Sequence, residues 1–181
     1  MIDFLMVSTR PGKRGSIEIY PKFVINNRTK DLMIRGGDFY AVWVEDRGLW
    51  STDEQDLIDL VDRELDKYAD EYRTKFDGDV RVLHMWDSEN GMIDSWHKYC
   101  QKRMRDSFHM LDETLIFSNT ETTRKDYASK RLSYPLEAGP APAWEKLIST
   151  LYSPEERHKL EWAIGSIVSG DSKHIQKFIV C

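Results

Sequence analysis

The strongest constraint on the fold is a change of hydrophobic pattern near residue 51. Residues 16–50 contain short β-branched and aromatic runs that are separated by turn residues such as Pro21, a pattern typical of strands. Beyond Thr52 and up to about Arg73, apolar residues recur at helical spacing instead. The predicted strands cover residues 16–20, 23–25, 32–34 and 39–44. A small meander followed by a long amphipathic helix predicts an α+β fold.

The rest of the N-terminal part extends this pattern. The first helix is predicted to begin at a capping box, Thr52 to Gln55, and its many carboxylates are expected on a solvated face. A strand at residues 80–86, a helix from 92 to about 111, a short strand at 115–117 and a polar loop or hairpin at 118–133 follow. We therefore expect a small antiparallel sheet with covering helices.

A linker is predicted between Ala138 and Pro142, because two prolines and a glycine in five residues prevent a helix from continuing. After a short amphipathic piece at 144–151, Ser153 is a strong N-cap with proline at the next position and Glu156 at the third, and Gly170 can end that helix. The final apolar run, residues 176–181, is typical of a buried strand. We predict two domains, residues 1–137 with α+β structure and residues 138–181, a mostly helical segment that ends in a strand.

The composition indicates a globular protein that works in a reducing cytoplasm. No basic leader and no apolar stretch of about 18 residues is present in the 181 residues, so no membrane partner is expected. Cys100 and Cys181 do not make a disulfide framework. The net charge of −5 is unevenly distributed: residues 51–90 hold 13 acidic against 5 basic side chains, whereas residues 92–131 hold 6 against 8. A local contact with nucleic acid is compatible with this distribution.

Two groups of cations are candidates for that contact. On the predicted helix from residue 92, Lys98, Lys102 and Arg105 form a stripe opposite the apolar face that contains Trp96. Three cations in a row suit a phosphate backbone, although a solubilising surface has the same appearance. The second group belongs to the predicted loop and comprises Arg124, Lys125, Lys130 and Arg131.

Signals for other chemistry are weaker. Asp87 and Glu89 would point to the same side if the preceding strand continued, and such a pair can hold Mg²⁺ in a nuclease or primase. The sequence around them is also good turn chemistry, which is the favoured interpretation. His97, Cys100 and His109 make a weak metal pattern. Finally, residues 165–172 have the spacing of a phosphate-binding loop, but Asp171 stands where that loop requires lysine.

The C-terminal third resembles a known family. The sequence from Pro142 to Ile148, then Tyr152 to Asp171, then Gln176 to Cys181 is similar to primase-helicases of the phage and poxvirus type in helicase superfamily 3. In that family a helical stretch of this kind leads through a Gln-Lys strand into the Walker A loop. The segments 115–119 and 35–50 also look like phage relatives of this group.

The resemblance implies a non-catalytic part of a phage replicative helicase that positions single-stranded or forked DNA, promotes assembly of a homo-oligomeric hexamer, or both, in a bacterial host. Mg-ATP is implied for the full-length helicase. This sequence has no Walker A or Walker B motif, so we expect no cofactor in this chain and no ATP hydrolysis by it alone. A native reading frame that runs past Cys181 into a Gly-rich Lys-Ser/Thr loop would distinguish this function from a stand-alone adaptor. A stand-alone phage adaptor and a metal-dependent nuclease or primase using Asp87 and Glu89 stay as alternatives.

Overall fold

The computed structural model describes residues 2–26, 28–35, 39–102, 109–171 and 175. They belong to two compact units, Met1–His109 and Met110–Cys181. The predicted boundary at residue 138 lies inside the second unit, which also contains the polar loop. The expected C-terminal strand at 176–181 lies outside the described residues.

The first unit contains two three-stranded sheets. In one sheet, β1 (Leu5–Pro11) pairs antiparallel with β2 (Ile17–Phe23), which pairs parallel with β6 (Val80–Val82). In the other, β3 (Leu32–Arg35), β4 (Phe39–Val44) and β5 (Leu49–Ser51) form the expected antiparallel meander. The parallel β2–β6 pair is the departure from an otherwise antiparallel arrangement.

Helix α1 (Glu54–Arg73) covers the β1–β2–β6 sheet and contributes Leu57, Val61 and Leu65 to the core. Its N-cap is Asp53, which accepts a hydrogen bond from the backbone N–H of Gln55. The predicted capping box at Thr52 was therefore wrong by one residue.

Helix α2 (Met92–Lys102) packs its apolar face against the same core. Trp96 and Cys100 are buried, and Trp96 contacts the rings of Phe4, Phe23 and Tyr40. This confirms the predicted packing face. His109 and Met110 are not helical, so the expectation of a helix up to residue 111 was wrong at its end.

Two errors in the strand predictions have physical causes. Pro21 lies inside β2 and not in a turn. Ile17 and Ile19 direct their main-chain groups to β6, and the pairing of β2 with β6 ends at Ile19. A proline at position 21 therefore breaks no ladder hydrogen bond. The strand predicted at 80–86 ends at Val82. Strand β1 was not predicted, because Arg10 and Pro11 resemble loop residues.

The second unit contains the polar loop and two helices, α3 (Pro142–Leu151) and α4 (Pro154–Val168). Ser153 caps α4 in the predicted capping box with Glu156, and Gly170 follows the helix with a φ of 82°, as expected for a left-handed cap. Residues 115–117 are irregular and not a strand. The α+β class is confirmed. In the part of the chain that is described, no helix is long and apolar enough to cross a membrane.

Candidate nucleic-acid interface

The basic loop is held by backbone hydrogen bonds between two extended segments. Asp112 N–H donates to Tyr127 O over 3.0 Å, Leu132 N–H to Ile116 O over 2.7 Å, and Ser118 N–H to Tyr134 O over 3.1 Å. Because the partner numbers rise together, residues 112–118 and 127–134 run parallel to each other. Ile116, Phe117 and Ala128 of these segments are buried, although neither segment forms a regular strand.

Two polar side chains reinforce this arrangement. One carboxylate oxygen of Asp112 accepts hydrogen bonds from the backbone N–H groups of Ser129 (2.6 Å) and Lys130 (3.2 Å). The Asn119 amide donates to Leu136 O and accepts from Leu136 N–H, both over 3.0 Å. The backbone that carries the basic side chains is therefore tied down on both sides.

The connection between the two segments contains a 3-10 turn, Arg124–Asp126, with its own capping box between Thr123 and Asp126. Asp126 accepts hydrogen bonds from the Thr123 N–H (2.7 Å) and hydroxyl (2.9 Å). The carboxylate closest in sequence to the cations is thus already engaged by the turn. These two bonds fix the turn, and the carboxylate keeps its negative charge beside Lys125.

The cations of the loop differ in their surroundings. Lys125, Lys130 and Arg131 are exposed, whereas Arg124 is half-buried. Arg131 donates to the Thr122 hydroxyl over 2.7 Å. Among the described residues, no carboxylate pairs with the ammonium group of Lys125 or Lys130, although several other cations of the chain form ion pairs. These two lysines offer positive charge to an external anion.

Tyr134 adds an aromatic surface to the second of the two segments. Its side chain is 57% exposed and contacts Phe117 edge-on, with ring centroids 6.1 Å apart. A ring held by one neighbour but open to solvent can stack on a nucleotide base. The sequence analysis assigned no role to Tyr134 or to Asp112. For Tyr134, a signal was available, because tyrosines alternate with cations in residues 124–134.

The structure describes two of the three residues of the α2 stripe. Lys98 and Lys102 are exposed and lie one turn apart, and no described carboxylate pairs with them. Arg105 lies outside the described residues. Acidic groups lie close by: Asp94 is one turn before Lys98, and His97 contacts Glu54 over 2.6 Å.

Asp87 and Glu89 lie in a turn, which is the interpretation that the sequence analysis favoured over a Mg²⁺ site. Asp87 caps a 3-10 turn, Ser88–Asn90, by accepting a hydrogen bond from the Glu89 N–H over 3.1 Å, and Gly91 follows with a φ of 68°. Within the described ranges, no group of three or more histidine, cysteine or acidic side chains could hold a metal ion. Burial raises the pKa of the Cys100 thiol to about 12, which makes it a poor ligand or nucleophile.

The segment with phosphate-loop spacing does not fit a nucleotide. Gly165 lies within α4, whose N–H groups are used by the helix, and Asp171 places an anion where the triphosphate needs a cation. Comparisons of the chain with protein-family models, with curated proteins and with solved structures gave no match.

Proposed function

We propose that this chain is a non-catalytic, DNA-contacting part of a phage replicative helicase or primase-helicase. The loop at residues 112–136 is its contact with single-stranded DNA. The observation that carries the proposal is the fixed backbone of one loop, which presents Lys125 and Lys130 without carboxylate partners among the described residues and also carries the exposed ring of Tyr134. Cations with an aromatic platform are the recurring means of binding single strands without reading their sequence.

The two types of contact predict different salt dependence. Phosphate contacts release counterions, so each one contributes about 0.7 to the slope of log affinity against log salt for a single strand. Stacking of a base on Tyr134 adds roughly 1–3 kcal/mol that depends little on salt. Binding should therefore be weak, indifferent to sequence and strongly weakened by salt.

The test is fluorescence anisotropy with a labelled oligothymidine at several salt concentrations. Lys125→Ala/Lys130→Ala should lower the salt slope by roughly 1.4, since two phosphate contacts are lost. The matched control is Lys146→Ala/Lys159→Ala, which removes the same charge from α3 and α4 of the same unit and should leave the slope unchanged. Equal slopes for the loop variant and the wild type would refute the proposal.

Tyr134 separates stacking from charge. Tyr134→Leu should weaken binding at every salt concentration by roughly 1–3 kcal/mol and leave the slope unchanged. Tyr134→Phe keeps the ring and its contact with Phe117, and should bind like the wild type. If Tyr134→Leu binds as tightly as Tyr134→Phe, the ring does not contact DNA.

The α2 stripe is a second, weaker contact in this proposal. Lys98→Ala/Lys102→Ala/Arg105→Ala should reduce the slope less than the loop variant, because the charges of Asp94 and Glu54 offset part of the stripe. A larger reduction than that of the loop variant would make α2 the principal contact.

Assembly is a second candidate function, and the helices of the second unit favour it. Leu147 and Leu151 are 56% and 62% exposed at adjacent turns of α3, and Ile164 and Ile167 are 41% and 55% exposed on α4. Apolar surface of this kind is typical of protein contacts. Sedimentation velocity should give a mass above that of the monomer, and Leu151→Ser/Ile167→Ser should return it to the monomer. A monomeric wild type would remove this candidate.

A further inference from the structure

Strand β1 is an open edge of its sheet among the described residues. The sheet order is β1–β2–β6, so β1 has a partner on one side only. Gly12 N–H donates to Ser16 O and Val24 N–H to Phe4 O, which places the even-numbered residues of β1 in hydrogen-bonded pairs with β2. The main-chain groups of Val7 and Thr9 are therefore directed away from the sheet.

The first five residues of β1 carry none of the usual devices that block an edge. Leu5 to Thr9 contain no charge and no proline, and the first such residues are Arg10 and Pro11 at the end of the strand. Natural edge strands normally use lysine, proline or a bulge to prevent pairing with another chain. An unprotected run of this length is suited to accept a further strand.

A groove runs beside this edge, between β1 and α1. It has a volume of about 340 Å³, and its apolar lining includes Ile2, Leu5, Val7 and Tyr68. The helix side of the groove is one stripe of α1, with Glu64, Lys67 and Glu71 along its rim. An open edge next to an apolar groove provides both parts of strand addition, main-chain hydrogen bonds for affinity and a pocket for alternate side chains.

The charge of α1 indicates what kind of peptide fits. The rim of the groove carries two carboxylates, Glu64 and Glu71, which lie two turns apart, and one cation, Lys67, so its net charge is negative. A basic side chain near either end of an added strand would meet one of these carboxylates. An acidic peptide would be repelled.

We propose that the groove between β1 and α1 binds an extended peptide of a protein partner, which adds to β1 as a fourth strand. Apolar side chains at alternate positions occupy the groove, and a basic residue lies beside Glu64 or Glu71. This surface belongs to the first unit and shares no residue with the proposed DNA contact.

The test uses fluorescence anisotropy of the full chain with a labelled heptapeptide, Ser-Val-Ser-Val-Ser-Lys-Ser. In this peptide the valines and the lysine share one face. Thr9→Pro removes an outward N–H from an exposed edge position and should weaken binding by about tenfold or more, the effect of losing one main-chain hydrogen bond at the interface. Thr9→Ala removes the same side chain but keeps the N–H, and should bind within about twofold of the wild type.

Two further measurements keep the test decisive if Thr9→Pro does not fold. A peptide with N-methyl groups on its alternate amides should lose binding to the unaltered protein, because it cannot pair with β1. Glu64→Gln/Glu71→Gln should abolish the preference for the lysine peptide over the same peptide with glutamate. Failure of the wild type to bind the lysine peptide, or equal binding of the N-methylated peptide, would overturn the proposal. So would a dimer that Thr9→Pro dissociates, since a second copy would then occupy the edge.

Discussion

The buried carboxylate of Asp62 accepts a 2.6 Å hydrogen bond from the backbone N–H of Met85. Its other oxygen accepts from the N–H of Trp86 over 3.1 Å. These bonds tie α1 to the segment that leaves β6, where strand pairing has already ended. Burial raises the pKa of Asp62, and the two backbone donors oppose that shift only in part.

Replacing Asp62 by asparagine should destabilise the first unit by about 1–3 kcal/mol, because one of the two buried N–H groups then faces an amide donor. Urea denaturation followed by circular dichroism measures the change. Asp66→Asn is the matched control. The Asp66 side chain lies one turn later on the same helix, is 60% exposed and contacts His84. Its effect should stay below about 0.5 kcal/mol. Equal effects for the two variants would contradict the assigned role of Asp62.

The sequence did not reveal this role of Asp62. The helical period correctly predicted α1 and its apolar face, but all of its carboxylates were assigned to solvent. Asp62 differs from the others only through Met85 and Trp86, which lie 23 and 24 residues away. A local pattern contains no information about such a partner.

Trp96 provides a test of the core. It is fully buried, and its indole N–H has no hydrogen-bond partner among the described residues. Trp96→Ala should cost about 3–5 kcal/mol through the cavity it leaves. Trp96→Phe should cost much less, since it keeps an aromatic ring beside Phe23 and Tyr40 and removes the unpaired donor. Thermal unfolding of both variants checks the order, and a larger loss for phenylalanine than for alanine would be inconsistent with this packing.

Two glycines near the end of α4 should respond in opposite directions. A methyl group on Gly170, whose φ is 82°, would lie 2.4 Å from the backbone oxygen of Glu113, so Gly170→Ala should destabilise by more than about 1 kcal/mol. Gly165 lies inside the helix with open space around it, and Gly165→Ala should stabilise by about 0.5–1 kcal/mol. Chemical denaturation of both variants measures the difference. The same sign for both would contradict the described backbone.

In the second unit, the sequence correctly predicted a feature that depends on residues within one helical turn. Ser153, Pro154 and Glu156 determine the start of α4 by themselves, and the structure confirms it. The loop that carries the candidate site depends on Asp112, which contacts residues 17 and 18 positions later. The sequence therefore indicated the cations of the loop but not how they are held.

Arg157 connects α3 to α4 through two carboxyl groups. Its guanidinium donates to both oxygens of Glu145, over 2.6 and 2.7 Å, and to Glu161 over 2.8 Å. These bonds lower the pKa of both carboxyl groups below the usual value of 4.5. A carboxyl group whose pKa is lower in the folded state stabilises the fold above its usual pKa. That contribution is lost as the pH falls through the lowered value.

Amide hydrogen exchange of residues 142–168 should therefore become faster, after correction for the intrinsic rate, when the pH is lowered from 7 to about 3. Arg157→Gln at neutral pH should already show the faster exchange and little further change on acidification. Lys159→Gln is the control, because Lys159 pairs with Glu155 within α4 alone and should leave the exchange of α3 unaltered. Because a lysine cannot reproduce the paired geometry of a guanidinium, Arg157→Lys should restore only part of the protection. Protection of α3 that is the same in the wild type and in Arg157→Gln at every pH would show that this ion-pair cluster does not hold the two helices together.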